Sequence, residues 1–156
     1  ENFSWNHGVE GSTDDAAVLA ARKSDLKAML GTLFASTGTI MLTAGDEFGR
    51  TQHGNNNAYC QDNAIGWVDW EGRDHELEDY VAGLGAARMT YLAAFQRFED
   101  HGTWHAPDGR EMTVADWERP GENRLDWAYT GAEGTLSFTI DRQERRVSAI
   151  ARAATA

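Results

Sequence analysis

The feature that most constrains this chain is a change of character at Gly45. Residues Thr39 to Ala44 (TIMLTA) form a short apolar run of β-branched and aliphatic residues, which reads as a buried strand. Gly45 breaks the run and Asp46 and Glu47 follow at once. From there to Trp70 the chain is dense in Asn, Gln, Asp, Gly, His and aromatics, with neither helical nor strand period. A strand that delivers acidic residues into a long polar loop is how many α/β enzymes build one wall of a site. Long aperiodic loops in compact domains are either functional or disordered. Phe48, Tyr59, Trp67 and Trp70 make this one too aromatic for a disordered linker.

Helices are predicted on both sides. Ser12 with Asp15 three residues on resembles a capping box, so a helix is expected from Ser12 to Ser36, with Asp14 and Asp15 at its positive end. Leu26, Met29, Leu30, Leu33 and Phe34 form its apolar stripe, and Arg22, Lys23, Asp25 and Lys27 its solvated face. Thr37-Gly38 is the exit. Helix, short loop and buried strand make half of a βα repeat, which sets the fold class as α/β. Beyond the loop, Asp74 is the expected cap of a second helix, which is expected to end between Arg88 and Phe98. Its stripe is Leu77, Tyr80, Val81, Leu84, Tyr91, Leu92, Phe95 and Phe98. Gly83 and Gly85 weaken it by about 1 kcal/mol each, and close packing against a neighbour would account for them.

After Gly102 the pattern shortens. Pro107-Asp108-Gly109 and Pro120-Gly121 are turn signals between short runs at Thr103–His105, Leu125–Tyr129 and Thr135–Ile140. The last run alternates Leu136, Phe138 and Ile140 with polar residues, a half-buried strand. Two units are therefore expected, 1–101 and a small β-rich region over 102–156. The tail from Arg145 to Ala156 is Ala-rich and carries no strand signal.

Charge narrows the ligand class. The net charge of −11 argues against nucleic acid and against anionic membrane surfaces, and is compatible with a neutral, hydroxyl-rich ligand. Cys60 is the single cysteine, so no internal disulfide forms, and a lone thiol fits a reducing, cytoplasmic compartment. Asp46, Glu47, His53 and Asp62 match no zinc or calcium spacing, so neither metal nor cofactor is expected. Adjacent Asp46 and Glu47 point opposite ways on an extended segment; one is expected to face a pocket and the other to tie the loop. At least two of Asn55, Asn56 and Asn57 are expected to brace the loop. His7, between Asn6 and Gly8, reads first as a turn residue and second as a site residue.

The order NFSWNHGVEG, LGTLFASTGTIMLTAGDEFGRTQHGNNNAYCQDN and GWVDW resembles the C-terminal part of bacterial glycogen debranching enzymes, isoamylase-type members of the α-amylase superfamily of glycoside hydrolases. APDGREMTVADW is similar to a later segment of the same enzymes. The resemblance runs from Asn2 to about Trp117 and fades beyond Trp127. It implies the last part of a (β/α)₈ barrel: helix 7 over Ser12–Ser36, strand 8 over Thr39–Ala44, a long loop, and helix 8 from Glu76. It implies a substrate-side set of His7, Asp46, Glu47, Asn55, Asn56, Asn57, Tyr59 and Asp62, facing branched α-glucan such as glycogen or limit dextrin. The family's nucleophilic Asp, general-acid Glu and stabilising His-Asp pair have no counterpart here and would precede Glu1. This polypeptide alone is accordingly expected to be catalytically silent, since the reaction needs two carboxylates about the bond. Unpaired strand edges and a bare helix face imply that the isolated chain is marginally stable, self-associates or docks onto the missing part of the barrel. The alternatives are a trehalose-releasing relative, a glucan-binding or assembly module using Trp5, Tyr59, Trp67 and Trp70, and the remnant of a split gene.

Overall fold

A computed structural model describes residues 5–96, 104–106, 108–118, 124–131, 134–141 and 146–153. Phe3, Phe98, Thr103, Pro107 and the Pro120-Gly121 turn lie outside them. The first helix, α1, runs Ala16–Ala35. It opens later than the Ser12 signal because Asp15 itself is the cap: its Oδ1 accepts from the Ala17 and Val18 N–H groups at 2.8 and 3.2 Å. An aspartate there serves the orphan donors and the helix dipole together. At the far end Ser36 donates its N–H to the Leu33 carbonyl and Gly38 turns the chain with φ +88°.

The carbonyls left open at that exit are taken by one side chain. Arg88 donates from Nη1 to the Phe34 and Ser36 oxygens, both at 2.7 Å, and from Nη2 to the Gly38 oxygen. It is only 9% exposed and its guanidinium lies 4.3 Å from the Phe95 ring centre. Burial pushes its pKa down from the usual arginine value. Five fixed N–H donors fit such a fork of acceptors, where a lysine would not.

Arg88 belongs to α2, His75–Thr90, capped by Asp74 through the Leu77 N–H at 3.1 Å. α2 ends at Thr90, within the expected stretch, with Tyr91 (φ −111°) as its C-cap, and a short α3, Leu92–Phe95, follows. Leu30, Leu77 and Val81 are buried together, with Leu26, Phe34, Leu42, Tyr80 and Leu84 packed around them. Met29, expected in the stripe, is 63% exposed. Packing does not require either helical glycine: a Cβ on Gly83 meets open space, and one on Gly85 only ordinary contact with Phe34 at 3.9 Å.

The expected solvated face of α1 is instead a polar clamp. Arg22 donates to the Gly11, Asn6 and Val9 carbonyls at 2.8, 3.0 and 2.5 Å, holding the N-terminal loop. Asp25 takes His7 Nε2 at 2.7 Å. Lys23 bridges Asp74 and Glu76, and Lys27 meets Glu76 at 2.6 Å and lies over the Tyr80 ring. Periodicity separates apolar from polar, but cannot say whether a polar stripe meets water or another loop.

Residues 39–44 are the main correction. They form no strand among the described residues, and Met41 is 87% exposed rather than buried. A strand exists by pairing, and no described strand lies beside this one. Exposure still alternates, with Ile40 and Leu42 half-buried between exposed Thr39, Met41 and Thr43. Helix dominates the first hundred residues, and the sheet that follows is antiparallel, β1 (Arg124–Gly131), β2 (Gly134–Asp141) and β3 (Arg146–Ala153) in that order. β2 falls on the expected Thr135–Ile140 run, while β3 occupies a tail that gave no signal. Its alanines have weak strand preference, and pairing with β2 from Gly134↔Ala153 to Asp141↔Arg146 supplies the order instead. Phe138, opposite Trp127, is buried against Tyr91 and Phe95.

Between helices and sheet, the Trp104 and Met112 backbones pair at 2.8 Å. Arg110 then grips Asp116 with two bonds, 2.7 and 2.6 Å, at α4 (Val114–Trp117). Arg110 and the Thr113 N–H and hydroxyl hold the Asp116 carboxyl well below the usual carboxylate range.

Two outcomes are expected. Arg88→Met should lower unfolding stability by about 3 kcal/mol, read as a shifted urea midpoint at unchanged slope, because the Phe34, Ser36 and Gly38 carbonyls lose their shared donor. Arg88→Lys should recover less than half of it. Because the folded pKa of Asp116 is depressed, its contribution is present above the unfolded pKa and is lost as pH falls through the folded one. Exchange protection of the Thr113 amide should therefore be flat from about pH 7 to about pH 4 and fall below that. Asp116→Asn should abolish that acid fall.

Candidate functional site

The loop between α1 and α2 is a chain of short local turns. Gly45 begins it with φ +99°, and a Cβ there would stand 2.8 Å from Arg50 Cβ and Cδ, so only glycine fits. The Arg50 N–H returns to the Gly45 oxygen at 2.8 Å around a 3₁₀ turn, Asp46–Phe48. Phe48, 4% exposed, is the anchor: its ring lies 5.5 Å from Trp70 and its carbonyl accepts the Asp74 N–H at 3.1 Å. The turn is thereby fixed to the capped start of α2.

Asp46 and Glu47 separate in role. Glu47 Oε2 accepts the Gly45 N–H at 2.8 Å and closes the turn. Asp46 is half-buried; burial raises its carboxyl pKa, Arg50 opposes that and Glu47 adds to it. Further on, Asn55 Oδ1 accepts the Asn57 N–H at 2.9 Å and its amide reaches Gln61 at 3.3 Å. The Asn57 carbonyl takes Gln61 Nε2 at 3.4 Å, and Asn56 is exposed. Asn55 thus braces the loop by side chain, and Asn57 through its backbone. Asp62 Oδ1 takes the Trp67 indole N–H at 2.8 Å. Tyr59 is 96% exposed.

His7 stands in a left-handed turn (φ 58°), with its ring tied to Asp25 and 5.7 Å from Trp5. The N-terminal loop approaches the long loop, for Glu10 Oε1 lies 3.8 Å from where a Gly54 Cβ would be. Among the described residues no three His, Cys, Asp or Glu side chains converge as metal ligands, and no helix is long and apolar enough to cross a membrane.

A groove of about 340 Å³ opens between residues 48–53 and 64–72 of the loop. Arg50, Thr51, His53, Trp67 and Asp69 line it, over a floor that includes Phe48. None of the eight expected substrate-side residues is in its lining. The available signals were His53-Gly54, a turn pair with φ 52° and 84°, and the tryptophan of GWVDW. Asp69 makes the second half rigid: its Oδ1 accepts the Glu71 and Gly72 N–H groups, both at 3.0 Å, and these bonds lower its pKa.

The chain matches "Glycogen debranching enzyme" of Pectobacterium carotovorum subsp. carotovorum (strain PC1), 44% identical over 135 residues, 83% of this chain and 20% of that protein. This chain is homologous to the bacterial glycogen debranching enzymes. The enzyme of Dickeya chrysanthemi is 44% identical over 125 residues, 76% of this chain and 19% of its own. The "Glycogen operon protein GlgX homolog" of Mycobacterium tuberculosis (strain CDC 1551 / Oshkosh) is 41% identical over 132 residues, 76% of this chain and 18% of its own. No family model matches. The chain spans about a fifth of the length of these debranching enzymes. Whatever its ends, a match to 83% of 156 residues includes the Gly45–Trp70 loop.

Gly45→Ala should cost about 2 kcal/mol or more, from the left-handed backbone and the collision with Arg50. Asp46 tests the loop from the other side. Its folded pKa is raised, so whatever stability it contributes is full below the unfolded pKa and is lost as pH rises through the folded one. Asp46→Asn should then unfold at a higher temperature than the parent chain at neutral pH, and the advantage should vanish in acid. An Asp46→Asn chain less stable at neutral pH would contradict the burial argument.

Proposed function

We propose that this chain provides the substrate-side rim of an α-1,6-glucosidase that hydrolyses branch linkages in glycogen or limit dextrin. The observation that carries the reading is the match to debranching enzymes across the whole acidic, Asn-rich loop. In this reading α1 is the seventh helix of a (β/α)₈ barrel, residues 39–44 its eighth strand, and α2 its eighth helix. The 39–44 segment would pair only when the rest of the barrel lies beside it. Its alternating exposure and the bare Met29 and Met41 side chains support that. Residues 1–101 then belong to the barrel and 102–156 to a β-rich region beside it. The partner is either the rest of the barrel or a second copy, in the cytoplasm where glycogen is stored.

The rim role falls to Asp46, Tyr59, Asn56, Asn57, Asp62, Asn55, Glu47 and His7, in two groups. Asp46, Tyr59 and Asn56 have side chains not committed to closing the loop, and these would meet sugar hydroxyls. Glu47, Asn55, Asp62 and His7 through their side chains, and Asn57 through its backbone, hold partners of their own and would keep the rim in shape. Glycoside hydrolysis needs two carboxylates flanking one bond. Glu47 is engaged with the Gly45 N–H, leaving Asp46 without a paired acid in the rim.

The reading is tested by two assays. The purified chain should release no linear maltooligosaccharide from a branched limit dextrin. A chimera with this chain in place of the matching segment of the Pectobacterium enzyme should release it. Activity from the chain alone, or a folded but inactive chimera, would contradict the proposal.

A further inference from the structure

The groove beside the 3₁₀ turn is distinct from the rim just described, and its chemistry is specific. Trp67 is 61% exposed although it lies in a folded loop. Its indole N–H is already satisfied by Asp62 at 2.8 Å, which fixes the ring plane and leaves an aromatic face to be covered. Around it stand Arg50 as a donor, Thr51 and His53 as donors or acceptors, and Asp69 as an acceptor. Both ends of the groove are held before any ligand arrives. The Arg50 backbone is fixed by its return to Gly45, and the Asp69 carboxylate by two backbone N–H groups. The volume, about 340 Å³, lies in the range of small-ligand clefts, about 300–1,000 Å³.

A flat apolar platform ringed by mixed donors and acceptors selects a ligand with one apolar face and an equatorial girdle of hydroxyls. A phosphorylated ligand is disfavoured by the Asp69 carboxylate in the lining and by the net charge of −11. We infer that this groove is a separate pyranose subsite, in which Trp67 stacks on one glucosyl unit of an α-glucan and Arg50, His53 and Asp69 read its hydroxyls. The assignment of glucan rests on the proposed function; the location at Trp67 shares Asp62 with the rim, as the acceptor that fixes the indole, while the groove lining itself contains no rim residue.

The test is a titration of the ¹⁵N-labelled chain with maltoheptaose, following the indole N–H signals of its six tryptophans. The Trp67 signal is assigned with Trp67→Phe. The expected result is a saturable shift of the Trp67 signal. Trp67→Phe and His53→Asn should each weaken binding by about tenfold or more. His53→Asn retains a residue that tolerates positive φ, and an unperturbed Trp67 signal in the free variant shows that it is folded. Tyr59→Ala with Asn56→Ala should leave the Trp67 shift intact. Binding that shifts other tryptophans and survives both groove substitutions overturns the subsite and leaves the rim reading standing. A Trp67 shift abolished by the rim double variant merges the two sites and overturns the separate subsite. No binding of maltoheptaose at millimolar concentration overturns the subsite outright, while the chimera assay decides the debranching reading independently.

Discussion

One buried guanidinium carries the architecture. A helix ends with carbonyls that must find donors, and α1 ends where the chain turns toward the long loop. Arg88 reaches from α2 to take the Phe34 oxygen of that end and the Ser36 and Gly38 oxygens of the exit, while the Gly38 N–H is taken by the Phe95 carbonyl at 2.6 Å. The two helices and α3 are thus joined at one polar knot, covered by the Phe95 ring. The Leu30, Leu77 and Val81 cluster supplies the apolar contact, but it leaves sliding and rotation open. Directional bonds to fixed carbonyls remove that freedom.

From that knot order spreads to the loop by short steps. Asp74 caps α2, holds Lys23 from α1 and gives its N–H to Phe48. Burial raises the Asp74 pKa, yet the Lys23 bond and the Leu77 N–H outweigh it, so the carboxyl stays ionised more readily than usual. Phe48 then seats the acidic turn, and Arg22 seats the N-terminal loop over the same end of α1. A long loop without regular structure needs this, because its backbone groups must be satisfied by turns and side chains.

What could be read from the residues follows the range of the interaction. The Asp74 cap, the Leu26, Leu30, Leu77 and Val81 part of the helix stripes and the span of β2 are local patterns and stand where they were expected, whereas Met29 faces out of its stripe. Glu47 as a tie and Asn55 as a brace are equally local, spanning two to six residues. Arg22 and Arg88 were not legible: both act across long separations, and a basic residue on a helix looks the same whether it faces water or a carbonyl. The 39–44 run failed as a strand for a related reason, since pairing is a property of neighbours that the residues themselves do not name. β3 is the converse, a weak pattern ordered by its partner. The Trp67 groove was hidden because its walls come from two halves of one loop, brought together by turns at His53 and Asp69.

Native-state hydrogen exchange tests most directly whether the helix pair holds the loop. The amides of Arg50 and Asp74, bonded to Gly45 and Phe48, can be followed beside those of α1 and α2 as denaturant is raised. If the knot at Arg88 governs both, the loop and helix amides will merge into one opening reaction with a common denaturant slope. Loop amides that exchange at the intrinsic rate while the helices remain protected would contradict the account.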